Sequence, residues 1–276
     1  GLPKQTLKSI EFTVARIREL APDRIAYYSY AFVPWKSKAQ RRYTEADLPA
    51  AKDKWQMYHR ESSLLQAAGY SPIGMDHFAL PDDKLFTAYR NGTLHRNFMG
   101  YTTTTSKLLI GLGASSISDA WNAFAQNADV VEDYQEAISK GEWPIVKGHV
   151  LNEEDLSIRR GILDLMCMGQ VSLKDIIATQ EHRKLIEEEL KSLEADRLVR
   201  LNEDQLSVTE AGRLFIRNIA AVLDARLRSK KASERTLHLR TSLKKIPLAY
   251  ASGCYDSAMS RTKLRLLSAM NVSVKG

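Results

Sequence analysis

Between Arg24 and Val33 the sequence reads RIAYYSYAFV, an aromatic-rich run closed by Pro34. Such a run predicts a buried strand. It follows at once on a segment in which Leu7, Ile10, Val14 and Ile17 recur at helical spacing and which Pro22 closes. A helix delivered straight into a buried strand is half of a parallel α/β unit. A parallel strand needs neighbours on both edges, and no strand-like segment precedes this one. The expectation is an α/β fold that starts part-way through a larger sheet.

The next elements follow from local signals. Thr44, the acids Glu45 and Asp47, and Pro49 predict the start of a helix running to about Ala68, where Gly69 ends it. Ser71 to Ala79 reads as one short strand and Phe98 to Thr103 as another. Leu108 to Ser118 (LLIGLGASSIS) reads as an apolar strand running into a small-residue loop. From Asn152 the character turns helical. Asn152 is a cap for a segment with Ile158, Ile162, Leu165 and Met166 on one face, Ser172 and Asp175 form a second capping pair, and Leu185 to Leu198 is a third helix. Leu198 to Leu201, the turn residues Glu203 and Asp204, and Gln205 to Val208 predict a hairpin. Thr209 then caps a helix carrying Phe215, Ile219, Val222 and Leu223. Three helices with a hairpin before the last resemble a winged-helix arrangement. The expected domains are 1–150, 151–225 and a basic, atypical tail over 226–276.

Charge sharpens that division. The chain has 40 Lys+Arg and 33 Asp+Glu, but residues 226–276 hold 12 and 2 of them, leaving 28 and 31 for the body. The basic balance therefore belongs to the tail, which is serine-rich and poorly periodic and reads as a disordered extension or, slightly preferred, as a readthrough or frameshifted end. In the body, the segment Glu181 to Arg197, where a winged-helix module would present its recognition helix, carries six acids against four Lys/Arg. Phosphate contact needs the opposite balance, so no nucleic acid is expected as a partner of the body. No apolar run is long enough to span a bilayer and no secretory signal is visible, so no membrane partner is expected and the expected location is cytoplasmic. The two cysteines, Cys167 and Cys254, are too few for a disulfide framework or a cysteine-held cluster within this chain. The histidines His59, His77, His95, His149, His182 and His238 show no metal-ligand spacing, and no metal site is expected.

Three constellations could carry chemistry. Asp76 and His77 place a carboxylate beside an imidazole, as acid–base work would need. The alternative is that adjacent strand residues point to opposite faces and cannot line one pocket. His95, Arg96 and Asn97 offer two potential cations and an amide, and Arg suits forked recognition of a carboxylate. On chemistry alone a solvated loop is the better reading. Gly111 to Ser116 (GLGASS) resembles a small-residue loop that lets a ligand approach the backbone, or else a tight structural turn.

Several stretches together resemble the oxygen-independent coproporphyrinogen III oxidases, a family of radical S-adenosylmethionine (SAM) enzymes. They are GLPKQT (Gly1 to Thr6), PDRIAYYSYAFVPW (Pro22 to Trp35), GMDHFALPDD (Gly74 to Asp83), HRNFMGYTT (His95 to Thr103), GLGASSIS (Gly111 to Ser118), LSIRRGILDLMC (Leu156 to Cys167) and TEAGRLFIRNIAAVLD (Thr209 to Asp224). The combination of GMDHF with HRNF-GYTT is the specific part. The resemblance implies the end of a radical-SAM (β/α)6 partial barrel followed by a mainly helical, winged-helix-like C-terminal domain. It implies oxidative decarboxylation of coproporphyrinogen III to protoporphyrinogen IX, with SAM and a [4Fe–4S] cluster in the intact protein. The family's CxxxCxC cluster motif is not in this sequence, so the chain reads as a C-terminal portion, inactive alone. Ala31 and Ile117 match SAM-contacting positions of the family, and Arg96 with His95 is expected to hold a substrate propionate; no catalytic residue is assigned. Phe32 stands where many members have His, and Met99 where some have Gln. A non-enzymatic heme- or porphyrin-binding relative, and a winged-helix nucleic-acid-binding protein, are the alternatives.

Overall fold

The computed structural model describes residues 1–35, 37–176, 180–224 and 226–227. These fall into two compact units: Gly1–Thr103 together with the described residues from Gly161 onward, and Thr104–Arg160.

The first unit opens with α1 (Leu7–Leu20), whose Thr6 and Ser9 bond reciprocally as a capping box. Ala21 in the left-handed conformation ends it, and Pro22 follows. β1 (Arg24–Ala26) takes only three of the ten residues expected to be extended. Beyond Tyr27, whose N–H donates to the Asp76 carbonyl, the chain leaves the sheet. The Gln40 side chain then serves the freed backbone, accepting from Val33 N–H at 2.5 Å and donating to the Ala31 carbonyl at 3.0 Å. Thr44 caps a 3-10 turn at Glu45–Asp47, and Pro49 separates that turn from α2 (Ala51–Ala67), so the single expected helix is two elements.

Ser71 to Ala79 is a hairpin, not one strand. β2 (Ser71–Ile73) and β3 (His77–Ala79) are joined through Gly74, which has a φ of 58°. β3 is the centre of an antiparallel sheet in the order β1-β3-β2. α3 (Lys84–Arg90), capped by Asp83, leads to a second hairpin of β4 (His95–Asn97) and β5 (Gly100–Thr102), with Arg96 opposite Tyr101. Val14 of α1 and Leu65 of α2 pack with Tyr70 and Phe78 in one core cluster; Ile73, Leu85, Leu94, Tyr101 and Cys167 form another.

In the second unit, β6 (Ile117–Asp119), β7 (Ala123–Asn127) and β8 (Ile145–Val150) form an antiparallel sheet in sequence order, with α4 (Val131–Ser139) between β7 and β8. The apolar strand expected from Leu108 is absent. Leu109 makes one isolated bridge with Asp119, and the chain then turns through Gly113 and Ser115, both at positive φ.

α5 (Glu153–Met168) begins where expected, with Asn152 and Asp155 exchanging cap bonds of 2.8 and 3.0 Å. β9 (Gln170–Ser172) follows, then a 3-10 turn at Leu173–Asp175 in which the Ser172 hydroxyl makes no cap bond, so that expected capping pair starts no α-helix there. After α6 (Gln180–Ala195) come β10 (Val199–Asn202) and β11 (Gln205–Val208), the expected hairpin turning at Glu203 and Asp204. β9 adds to its edge in the order β10-β11-β9. Thr209 Oγ1 accepts from Gly212 N–H and opens a 3-10 turn that runs into α7 (Ile216–Leu223). Ile186, Leu190, Val199, Leu206, Ile219 and Leu223 are almost wholly buried, at about 2 kcal/mol each by the area they remove from water.

The architecture is α/β with open sheets, and every strand pair among the described residues is antiparallel. The parallel pairing expected for the Arg24 run is not among them. The tail over 228–276, expected to be atypical, lies outside the described residues.

Candidate functional site

The two hairpins of the first unit interlock, and the residues that do so come from GMDHF and HRNFMGYTT. Gly74 lies under the Tyr101 ring so closely that a Cβ there would sit 2.1 Å from Tyr101 Cζ. The Tyr101 hydroxyl reaches on to donate to the Met166 carbonyl at 2.8 Å. Gly100 has a φ of 134° and faces the His77 ring, and a Cβ would fall 3.1 Å from His77 Cε1. The His77 ring meets Tyr101 and Tyr28 edge-on. Each glycine is therefore dictated by what lies against it.

At the centre is Asp76. Because it lies in the turn before β3, strand alternation does not govern its side chain. It folds back so that His77 Nδ1 and Asp76 Oδ1 are 2.7 Å apart, which corrects the reading that this pair points to opposite faces. Both side chains are 7% exposed. Arg96 lies over the Tyr101 ring with Cζ 4.5 Å from its centroid, and Arg96 Nη1 is 3.7 Å from Asp76 Oδ1. That distance is too long for a hydrogen bond. Arg96 Nη1 and Asp76 Oδ2 are both buried without a hydrogen-bond partner. Burial pushes the Tyr101 and Tyr28 phenols above their ordinary pKa, with Asp76 raising them further and Arg96 opposing.

A small cavity of about 120 Å³ lies under the same hairpin, lined among others by Gly74, Tyr89, Met166, Cys167, Arg213 and Ile216. Arg213 donates to the Tyr89 hydroxyl. Burial pushes the Cys167 thiol up to about 12, with Arg96 opposing and Asp164 adding to the rise.

Of the residues expected from sequence, Arg96 is in the cluster. His95 is its half-buried neighbour on β4, opposite Thr102. Ala31 is in the same unit, past β1, with its carbonyl held by Gln40; Ile117 is at the start of β6 in the other unit, its backbone packed on Gly111. Phe32 leans on Tyr43, and Met99 is largely exposed. Sequence reasoning missed Tyr101 as the ring beneath Arg96. Among the described residues no group of three or more His, Cys, Asp or Glu is placed to hold a metal ion. A [4Fe–4S] cluster needs three thiolates. This chain has two cysteines, one short of that number. Among the described residues no helix is long and apolar enough to cross a membrane.

No family model matches the chain. Named relatives do. The oxygen-independent coproporphyrinogen III oxidase of Thermostichus vulcanus is 42% identical over 237 residues, covering 83% of this chain and 73% of that protein. The protein of the same description from Synechocystis is 39% identical over 243 residues, covering 85% of this chain and 52% of that protein. A solved structure described as coproporphyrinogen III oxidase (HemN) from Escherichia coli, a radical SAM enzyme, superposes with a TM-score of 0.76 at 38% identity, covering 82% of this chain and 54% of that one. The chain thus spans about half the length of most of the curated relatives it matches.

Proposed function

This chain belongs to the oxygen-independent coproporphyrinogen III oxidase family, and from that premise we propose that it forms the substrate-holding part of an oxidoreductase of heme biosynthesis. The intact protein converts two propionates of coproporphyrinogen III to vinyls, giving protoporphyrinogen IX, in the cytoplasm. In this reading residues 1–150 contribute the end of a radical-SAM partial barrel and 151–225 a winged-helix-like C-terminal domain. SAM and a [4Fe–4S] cluster supply the radical chemistry. The cluster's ligands come from outside this chain, and Ala31 and Ile117 contact SAM through backbone and packing.

What these residues do themselves is position and shield. The observation that carries the reading is the Arg96 guanidinium, held over the Tyr101 ring with Nη1 buried and without a hydrogen-bond partner, in a cluster made by the family's two most specific motifs. A guanidinium cannot shed its charge, so a buried one without a full partner is a ready site for an anion. A propionate carboxylate fits it, and His95 flanks that position. Asp76, tied to His77, limits how far Arg96 can swing. The test is fluorescence titration of the chain with coproporphyrin III, the stable oxidised form of the substrate. Saturable binding is expected, weakened about tenfold in Arg96→Gln. Equal affinity in a folded Arg96→Gln chain removes Arg96 from the substrate site.

A further inference from the structure

Among the described residues, four buried side-chain atoms lack a hydrogen-bond partner, and two of them, Asp76 Oδ2 and Arg96 Nη1, stand in one cluster. The first is an acceptor and the second a donor. They do not satisfy each other: Nη1 approaches the carboxylate only to 3.7 Å from Oδ1, and Oδ1 is already held 2.7 Å from His77 Nδ1. The Asp76 carboxylate is fixed from two directions. Its backbone carbonyl accepts from Tyr27 N–H at 2.7 Å, which pins the turn to the end of β1. The His77 ring that grips Oδ1 is itself set edge-on against Tyr101 and Tyr28. Oδ2 is therefore a rigid acceptor, on a side chain 7% exposed, that still lacks a donor. A ligand that satisfies both atoms brings an acceptor to Arg96 and a donor to Asp76.

The macrocycle of the proposed substrate carries both on one ring, because each propionate hangs from a pyrrole. In coproporphyrinogen III every pyrrole nitrogen bears a hydrogen, and the saturated bridges let a ring tilt its N–H out toward a protein acceptor. In coproporphyrin III the conjugated macrocycle is flat, and the N–H groups it keeps are turned into the centre. We infer that Asp76 Oδ2 accepts a pyrrole N–H of the reduced macrocycle, beside the propionate held by Arg96, and so selects porphyrinogen over porphyrin. His77 is a positioning residue, since by holding Oδ1 it aims Oδ2. The inference rests on the propionate reading of the Arg96 site.

The test is anaerobic calorimetric titration with coproporphyrinogen III and, separately, with coproporphyrin III, on the unaltered chain, Asp76→Asn and Arg96→Gln. The unaltered chain is expected to bind the porphyrinogen about tenfold more tightly, the worth of one hydrogen bond to a charged group. In Asp76→Asn the amide oxygen stays with His77 and an NH2 group takes the place of Oδ2, donor against donor. The preference should then vanish while coproporphyrin III binds no worse. Arg96→Gln should weaken both ligands and leave their ratio. The ratio does not depend on how much of a variant is folded, so a retained ratio in Asp76→Asn overturns the inference even where both affinities fall. Carbon-13 labelling of the aspartate carboxyls gives a reading without substitution: the Asp76 resonance should shift further with coproporphyrinogen III than with coproporphyrin III, and equal shifts overturn the inference. Equal affinity of the unaltered chain for the two ligands overturns it and leaves the Arg96 reading standing. No saturable binding of either, or no effect of Arg96→Gln, overturns both. The ammonium of SAM is the other N–H donor that the family's chemistry would bring. If SAM displaces coproporphyrinogen III from the unaltered chain and not from Asp76→Asn, Oδ2 serves that ammonium and the inference is wrong.

Discussion

In each unit a buried aspartate stands beside an arginine that lies over an aromatic ring, and the two pairs differ in how completely they are bonded. In the second unit Arg159 grips Asp119 with both nitrogens, at 3.0 and 2.6 Å, and donates again to the Trp121 carbonyl at 2.9 Å. It is packed between Trp121 and Phe124. In the first unit Arg96 stands 3.7 Å from Asp76, with a buried atom on each partner left unbonded. The first arrangement is complete and holds a fold together. The second is incomplete, and on that difference rests the proposal that it takes the substrate's carboxylate.

The comparison breaks most visibly in stability. Arg159→Ala should cost the second unit about 3 kcal/mol, because Asp119 then stays buried without its counter-charge and keeps only the Trp121 N–H. Arg96→Ala should cost about 1 kcal/mol, since Asp76 keeps its bond to His77. Urea unfolding of both variants measures the difference, and equal losses would make the two pairs the same kind of object.

A smaller loss, about 2 kcal/mol, is expected for Gly74→Ala, whose methyl would strike the Tyr101 ring at a positive φ. It should also weaken coproporphyrin III binding, because Tyr101 is the platform under Arg96. Unchanged binding in this variant would separate the hairpin interlock from the site.

The smallest effect sharpens what an orphaned atom means. Glu61 is buried on α2 with Oε2 unpartnered, much as Asp76 is. Burial raises the pKa of Glu61, with the Tyr27 hydroxyl bond opposing. The folded chain therefore holds this proton more tightly than the unfolded chain. The resulting stabilisation is full below the ordinary carboxyl pKa and is lost as pH rises through the raised value. Glu61→Gln should match the parent at acid pH and gain on it as the pH rises toward neutrality. Thermal melts across that range check it, and a constant difference would mean that the Glu61 carboxyl does not titrate differently on folding. An acid can resolve its own burial by protonation; a guanidinium cannot.

The same contrast explains what sequence could reveal. The helix at Asn152, the one leading on from Thr209 and the β10–β11 hairpin were legible because their signals are local: Asn152 and Thr209 cap where they stand, and Glu203 and Asp204 turn where they stand. Strand extent was not legible, because an apolar run becomes a strand only with a partner. Arg24 to Val33 pairs for three residues and then has its backbone served by Gln40, and Leu108 to Ser118 folds back through Gly113 and Ser115. The family motifs contained Arg96, Asp76 and Tyr101 but not their arrangement. Asp76 was discounted because a single strand was assumed where Gly74 makes a turn.

The most direct test watches both arginines at once. In a chain with 15N-labelled arginine, the Nε–H resonances of Arg96 and Arg159 are assigned by substitution and followed as coproporphyrin III is added. The expected result is a saturable shift of Arg96, with Arg159 unmoved at the same porphyrin concentration. A titration that leaves Arg96 in place, or that moves both resonances alike, would contradict the claim that the incomplete pair is the substrate's carboxylate site.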